Sequence, residues 1–199
     1  MQRVLPLIAA LVDCGVPLSV DTAKPAVMRE ALAAGAAMIN DINALRAPGA
    51  LEAMAQSDAA LCLMHMQGEP RTMQNNPHYE DVVAEVRDFL AARAAAARAA
   101  GIAAARIVID PGFGFGKSLA HNLTLLRHLD QFTALGLPLL AGLSRKSMLG
   151  KITGREPGQR LAGSVAAALL AVQRGAKILR VHDVAATRDA LAVLAAVEE

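Results

Sequence analysis

Short apolar runs alternate with longer helical patterns along the whole chain. The runs are VPLSV (16–20), AAMI (36–39), AALCLM (59–64), RIVI (106–109), LPLLAGL (137–143) and AKILRV (176–181). Apolar runs this short, bounded by turn residues, fit strands that are buried on both faces. Helical patterns begin near Pro25, Pro48, Pro77, Leu119, Pro157 and Val184, and one more, over 2–13, opens the chain. Proline suits a first turn because its missing N–H had no helical partner there. Gly15, Gly35, Gly101, Gly136 and Gly175 each fall just past a helix, where glycine takes a left-handed cap at low cost. The stretch AARAAAARAAG is rich in strong helix formers and reads as helix, not linker. No Ser- or Pro-rich linker divides the chain, so residues 1–199 read as one domain.

Continuous apolar strands that each lead into a helix predict a parallel sheet covered by helices. Two architectures fit: a doubly wound sheet or a (β/α)8 barrel. The strand ends favour the barrel. Asp21, Asn40, His65 and Asp110 follow the first four runs, Lys146 comes just after the fifth, and Arg180 and His182 end the sixth. Polar groups at every C-terminal strand end match a barrel mouth, whereas a doubly wound sheet gathers its site at one switch point. A complete barrel has eight strands and this chain supplies six. Its first helix follows no strand, so the expected fold is an incomplete (β/α)8 TIM barrel whose first two strands are missing. Open edges at VPLSV and AKILRV then predict that these residues alone fold poorly and do not turn over substrate.

Composition narrows the function. Apolar residues make up 54% but aromatics only 3%, so the core is aliphatic. The net charge of +2, without a basic block, argues against a nucleic-acid surface. Cys14 and Cys62 form no ligand-spaced pair and suit a reducing cytoplasm. No apolar run approaches the roughly 18 residues of a membrane span. Arg3 before VLPLIAALV imitates a signal sequence, but Asp13 interrupts the run and no small-residue cleavage site follows.

One stretch asks for chemistry: DPGFGFGKS, 110–118. It resembles a phosphate-gripping loop, yet Pro111 stands where the first glycine of that pattern belongs. The dinucleotide pattern fails as well, because its third glycine would be Lys117. Attention therefore moves to the charged residue that opens the run, Asp110.

Six stretches together, SVDTAKP, MINDINAL, LMHMQGEPRTMQ, DPGFGFGK, GLSRKSMLG and RVHDV, resemble in order the motifs of the dihydropteroate synthase family. They cover the chain from end to end. The resemblance implies a pterin-binding barrel of folate biosynthesis. That enzyme joins (7,8-dihydropterin-6-yl)methyl diphosphate to 4-aminobenzoate, and sulfonamides imitate the second substrate. It implies that Asp110 takes the pterin's paired N–H donors in a fork, with Asp21 and Asn40 on other ring edges and Lys146 donating to ring acceptors. Arg180, Val181 and His182 are implied to hold the diphosphate. Phe115 is implied to pack near the aminobenzoate, whose carboxylate Ser147 contacts. Asp21, Lys146, Arg180 and His182 are the expected catalytic set, stabilising charge as diphosphate leaves and the aryl amine attacks. Mg2+, a homodimer and a cytoplasmic location are implied too. The family's Mg2+ ligand, an Asn that ends its first strand, the Thr-Pro-Asp-Ser-Phe loop after it and the Thr-Arg pair of its second loop have no counterpart in residues 1–199.

Read without the family, several residues keep a structural alternative. Asp110 and Asp21 are candidate helix caps, Asn40 an Asx-turn residue, Arg180 an ion-pair partner and His182 a cap. His65 reads as structural, RTMQNNPHY (71–79) as a polar lid or wall, and Arg145 and Lys151 as solvated surface. Met64, Met66, Met73 and Met148 read as gap fillers. Two other functions compete. A methyltetrahydrofolate-dependent methyltransferase would use the three polar strand ends but has no diphosphate for Arg180 and His182. A non-catalytic pterin-binding fragment is the second.

Overall fold

A computed structural model describes residues 2–198. The chain forms two compact units: residues through His65 with Asp88–Asp110, and Met66–Arg87 with residues from Pro111 onward.

The first unit holds a four-stranded sheet in the order β1 (Ser19–Asp21), β2 (Met38–Asp41), β3 (Ala60–Met64), β4 (Ile107–Asp110). Every pairing is parallel, with Asp21 opposite Asn40, Asn40 opposite Cys62 and Met64 opposite Asp110. Helices α1 (Leu5–Leu11), α2 (Pro25–Ala33), α3 (Ala50–Ala55) and the later part of α4 (Val82–Ala99) connect and cover the strands. Ile39, Leu61, Leu63, Ile107 and Ile109 are fully buried between Met28, Met54 and Leu90. Each such side chain contributes about 1.5–3 kcal/mol relative to exposure. The core is aliphatic, as composition requires.

In the second unit β5 (Leu140–Ala141) pairs in parallel with β6 (Ile178–Leu179). Helices α5 (Leu119–Arg127), α6 (Ser147–Thr153), α7 (Leu161–Gln173) and α8 (Val184–Glu198) surround Phe113, Phe132, Leu139 and Leu140, all buried. Strand and helix alternate through both units. The described residues thus carry six parallel strands of the α/β type, fewer than the eight of a closed (β/α)8 barrel.

No strand is longer than its apolar run, and β1, β2 and β4 end beyond theirs while β3 ends with its own. Asp21, Asn40 and Asp110 lie inside strands, not beyond them. At the sixth the opposite holds. β6 stops at Leu179, so the strand alternation expected to put Arg180 and His182 on one face does not extend to them, although the Arg180 N–H still donates to the Ala141 carbonyl at 3.0 Å. Two helix starts also differ. α4 begins at Val82, five residues after Pro77, because Asp81 Oδ1 accepts from the N–H groups of Val83 and Ala84. Glu85 Oε1 in turn accepts from the N–H groups of Glu80 and Asp81. Pro157 opens only a 3-10 turn, and α7 starts at Leu161. No described helix is long and apolar enough to cross a membrane.

Candidate active site

In a parallel sheet all C-terminal strand ends share one edge, and in the first unit that edge carries the predicted acids. Register sets Asp21 beside Asn40, and the Asn40 amide nitrogen donates to Asp21 Oδ2 at 2.7 Å. Asn40 is buried while Asp21 is exposed, so the pair runs from the core to the surface. Asp110 ends β4, fully buried, and its carbonyl accepts the His65 N–H at 3.0 Å. Neither acid caps a helix: α2 begins after Lys24 without a side-chain cap, and Ser118 caps α5. The Asx turn assigned to Asn40 belongs to its neighbour. Asp41 accepts the N–H groups of Asn43 and Leu45, both at 2.8 Å.

Asp41 therefore pins a strained turn. Ala44 and Leu45 both take left-handed backbone, with φ of 50° and 56°. Arg93 holds their carbonyls, donating from Nε to Ala44 at 2.7 Å and from Nη2 to Leu45 at 3.1 Å. Burial pushes the Asp41 carboxyl above its usual range in spite of those two backbone bonds, and the nearby Asp21 charge adds to the push. The sequence reading passed over both residues. The only signal for Asp41 was an Asp two residues before an Asn, a weak turn pattern. His65 is buried edge-on to the Phe89 ring, which supports its structural reading.

The second unit contains the glycine run. Gly112, Gly114 and Gly116 all have positive φ. A methyl group on Gly116 would drive into the Gln67 carbonyl, so the run is glycine for reasons of close backbone approach. Lys117 is buried and its ammonium donates inward, to the carbonyls of Gly112 at 3.1 Å and Phe115 at 3.0 Å. Asn122 and Tyr79 complete the brace: Asn122 Oδ1 accepts the Gly114 N–H at 2.7 Å and the Tyr79 hydroxyl donates to the Gly116 carbonyl at 2.8 Å. The lysine that imitates a phosphate grip is a strut of its own loop. In the polar stretch before α4, Gln74 donates to the Gly114 carbonyl of this loop, and Gln67 pairs twice with the His78 backbone of the stretch itself. The segment is a bonded wall.

Phe115 and Lys146 come together. The Lys146 ammonium stands 4.3 Å from the Phe115 ring centroid, a cation–π contact. Lys146 caps the start of α6 and Ser147 is its first residue, exposed. The helix α6 escaped the sequence reading because Gly150 lies in its middle. Arg160 explains that glycine, since its guanidinium occupies the space a β-carbon would need.

Around Lys146 the backbone is heavily tied. Arg145 has φ of 56°; its N–H donates to Ser164 Oγ at 2.9 Å and its carbonyl accepts from Arg160 Nη1 at 3.0 Å. Its guanidinium grips Asp183 through two bonds, Nη2 to Oδ1 at 2.6 Å and Nε to Oδ2 at 3.1 Å. That bond holds the Asp183 carboxyl below its ordinary range and raises the guanidinium. Arg145 is thus a structural clamp, not the solvated surface residue the sequence suggested. Arg180 is exposed and its guanidinium lies over Gly142. Half-buried Val181 separates it from exposed His182, whose Nδ1 lies 3.0 Å from Ser144 Oγ. His182 is therefore held by Ser144.

The first unit offers carboxylate and amide groups at one sheet edge, and the second carries an ammonium, a guanidinium and an imidazole on its own loops. Carboxylates match the paired N–H donors of a heterocycle, and the cations match an anionic ester.

Comparison with known proteins gives this chemistry a family. A model of the pterin binding enzyme family matches residues 1–182. The dihydropteroate synthase of Neisseria meningitidis serogroup C is 57% identical over 193 residues, covering 95% of this chain and 68% of that protein. The structure of dihydropteroate synthase from Stenotrophomonas maltophilia, with imidazole in its active site, is 59% identical. It superposes with a TM-score of 0.97 over 99% of this chain and 75% of that one. The Xanthomonas albilineans enzyme in complex with 7,8-dihydropteroate is 60% identical, with a TM-score of 0.93 over 99% of this chain and 73% of that one.

Proposed function

Since this chain belongs to the pterin binding enzyme family, we propose that it acts in folate biosynthesis as a dihydropteroate synthase. The observation that carries the reading is the acid-lined edge of the first unit. Asp110 ends β4 in the sheet that bears the Asn40–Asp21 pair, in a chain 60% identical to a protein whose structure holds 7,8-dihydropteroate.

The reaction condenses (7,8-dihydropterin-6-yl)methyl diphosphate with 4-aminobenzoate. The bond between the methylene carbon and the diphosphate oxygen breaks, and its electron pair leaves with the diphosphate. The aryl amine's lone pair forms the new C–N bond and the amine releases a proton. Asp110 accepts the pterin's 2-amino and ring N–H donors, Asn40 and Asp21 take further ring edges, and Lys146 donates to ring acceptors. Asp21 opposes the positive charge left on the pterin methylene. Arg180, Val181 and His182 take the diphosphate, and each charge-assisted bond contributes about 1.5–3 kcal/mol. Phe115 supplies an aromatic face for the aminobenzoate ring and Ser147 a hydroxyl for its carboxylate, the group sulfonamides imitate.

Mg2+ is proposed as counter-ion of the diphosphate. Among the described residues no three His, Cys, Asp or Glu side chains gather to hold a metal, and no step here runs through it. A homodimer fits the exposed Leu161 and Leu170 of α7 and Val184, Val193 and Val197 of α8. A cytoplasmic location fits a chain whose two cysteines, exposed Cys14 and buried Cys62, form no disulfide with each other.

Calorimetry with a dihydropterin tests the assignment. Asp110→Asn is expected to weaken binding by roughly 10- to 100-fold, the equivalent of about 1.5–3 kcal/mol. Unchanged affinity would overturn the site. The methyltransferase reading is separated by Arg180→Ala, which is expected to weaken the diphosphate ester and spare a phosphate-free pterin. Equal losses for both ligands would count against the leaving-group role of Arg180.

A further inference from the structure

Two consecutive residues of one loop grip two consecutive residues of another. Ser144 bonds His182 and Arg145 bonds Asp183. Ser144 is buried and its oxygen has two partners in His182: it accepts the backbone N–H at 3.2 Å and lies 3.0 Å from the ring nitrogen Nδ1. A hydroxyl has one proton and two lone pairs. With one lone pair committed to the backbone N–H, the hydroxyl has its proton and its second lone pair left for Nδ1, and it is donation of that proton that makes Nδ1 an acceptor. In neutral imidazole an acceptor Nδ1 leaves the ring proton on Nε2.

Resting on the reading of His182 as a diphosphate ligand, we propose that Ser144 is a positioning residue for it. Ser144 holds Nδ1 and so makes Nε2 the hydrogen-bond donor offered to an anionic phosphate oxygen. The same result holds when the imidazole is protonated, because Ser144 then accepts from Nδ1 and Nε2 still donates. The neighbouring Arg145–Asp183 pair fixes the two loops in register, so the ring is held from its backbone and from its side chain. His182 is exposed, and an exposed imidazole without such a hold would spread over several rotamers and both tautomers. The sequence gives no hint of this role, since Ser144 and His182 are 38 residues apart.

The test uses this chain and inorganic pyrophosphate. Ser144→Ala is expected to weaken pyrophosphate binding about tenfold, the size of one ordinary hydrogen bond, and Ser144→Thr, which keeps the hydroxyl, to restore it. In a His182→Ala background Ser144→Ala is expected to cost nothing further. An equal loss in that background would overturn the proposal, because Ser144 would then act independently of the ring. Nitrogen NMR of His182 supplies a readout free of any ligand. Nδ1 is expected to resonate as a hydrogen-bonded acceptor and to lose that signature in Ser144→Ala, and a signal indifferent to the substitution would also overturn it. If wild-type chain does not bind pyrophosphate, the leaving-group reading falls, and the Nδ1 signal alone decides whether Ser144 sets the tautomer.

Discussion

Lys117→Met separates a structural lysine from a phosphate ligand. In the structure the ammonium is buried, 3% exposed, and donates to the Gly112 and Phe115 carbonyls at 3.1 and 3.0 Å. Two bonds from a charged donor contribute roughly 3–6 kcal/mol together. Methionine relieves the cost of burying the charge, which offsets a part of this. The net loss is then about 2–3 kcal/mol. With a urea slope near 2 kcal/mol per molar, the unfolding midpoint falls by roughly 1–1.5 M. Urea titration followed by circular dichroism measures this directly. A phosphate-gripping lysine would give the reverse: an unmoved midpoint, within about 0.5 kcal/mol of wild type, and a loss of nucleotide binding. That result would refute the strut.

Three further outcomes follow from the bonding around the site. Burial, followed by the charges of His78 and Lys117, lowers the His121 pKa from its ordinary 6.5, and Nδ1 of His121 accepts the Ser118 N–H in the capping box of α5. A histidine whose folded pKa lies below its unfolded value stabilises fully above the unfolded value, and this is lost as pH falls through 6.5 toward the folded one. The urea midpoint of wild type should therefore drop in that window relative to His121→Gln, which keeps an acceptor without titrating; parallel pH profiles would contradict it. Gly150→Ala displaces the Arg160 guanidinium and its bonds to the Arg145 and Lys146 carbonyls, while alanine gains up to about 1 kcal/mol of helix propensity. Dihydropterin affinity should fall with the midpoint nearly unchanged, and full affinity would mean that Arg160 does not position Lys146. Arg145→Ala should return the depressed Asp183 carboxyl to its ordinary range, read by carboxyl NMR. Because a depressed acid stabilises above its unfolded pKa, wild type should keep the clasp as pH falls through 3.8, and an unmoved Asp183 titration would count against the pairing.

Much of this was legible in the sequence, and the reason differs by residue. The six apolar runs located all six strands because buried parallel strands are apolar on both faces. Gly35 and Gly175 marked helix ends because φ values of 97° and 94° exclude most other residues. Asp21, Asn40 and Asp110 stood out as polar residues closing apolar runs. Illegible were the residues whose partners lie far along the chain. Asp41 draws no attention until Arg93, 49 residues from Ala44, is seen closing the turn that Asp41 pins. Arg145 reads as surface until Asp183 is seen to grip it 38 residues away. Gly150 hid a helix because local propensity counts the glycine against it, and only the Arg160 side chain explains why it is there.

The two units hold the proposed pterin and diphosphate ligands by different means, and this decides where each is vulnerable. Asp21, Asn40 and Asp110 sit inside strands whose positions the ladder fixes, over a core of Ile39, Leu61, Leu63 and Ile109. Moving one of them means moving a strand, which costs many buried contacts at once. In the second unit β5 and β6 are two residues each, too short to carry Lys146, Arg180 or His182 on the sheet itself. Those side chains stand on loops, and a few side-chain bonds hold the loops: Ser144 to His182, Arg145 to Asp183, Arg160 to the Arg145 and Lys146 carbonyls. Each such bond is small beside the stability of a domain, enough to shift a loop's preferred geometry but not to unfold the unit. Substitutions that weaken anion binding without lowering stability should therefore gather at residues 142–164 and 180–183. Substitutions that weaken pterin binding through the first unit should lower stability with it. A variant scan in which affinity and urea midpoint are measured together distinguishes the two. If losses of both kinds fell evenly over the two units, the ladder would not be what holds the acids in place.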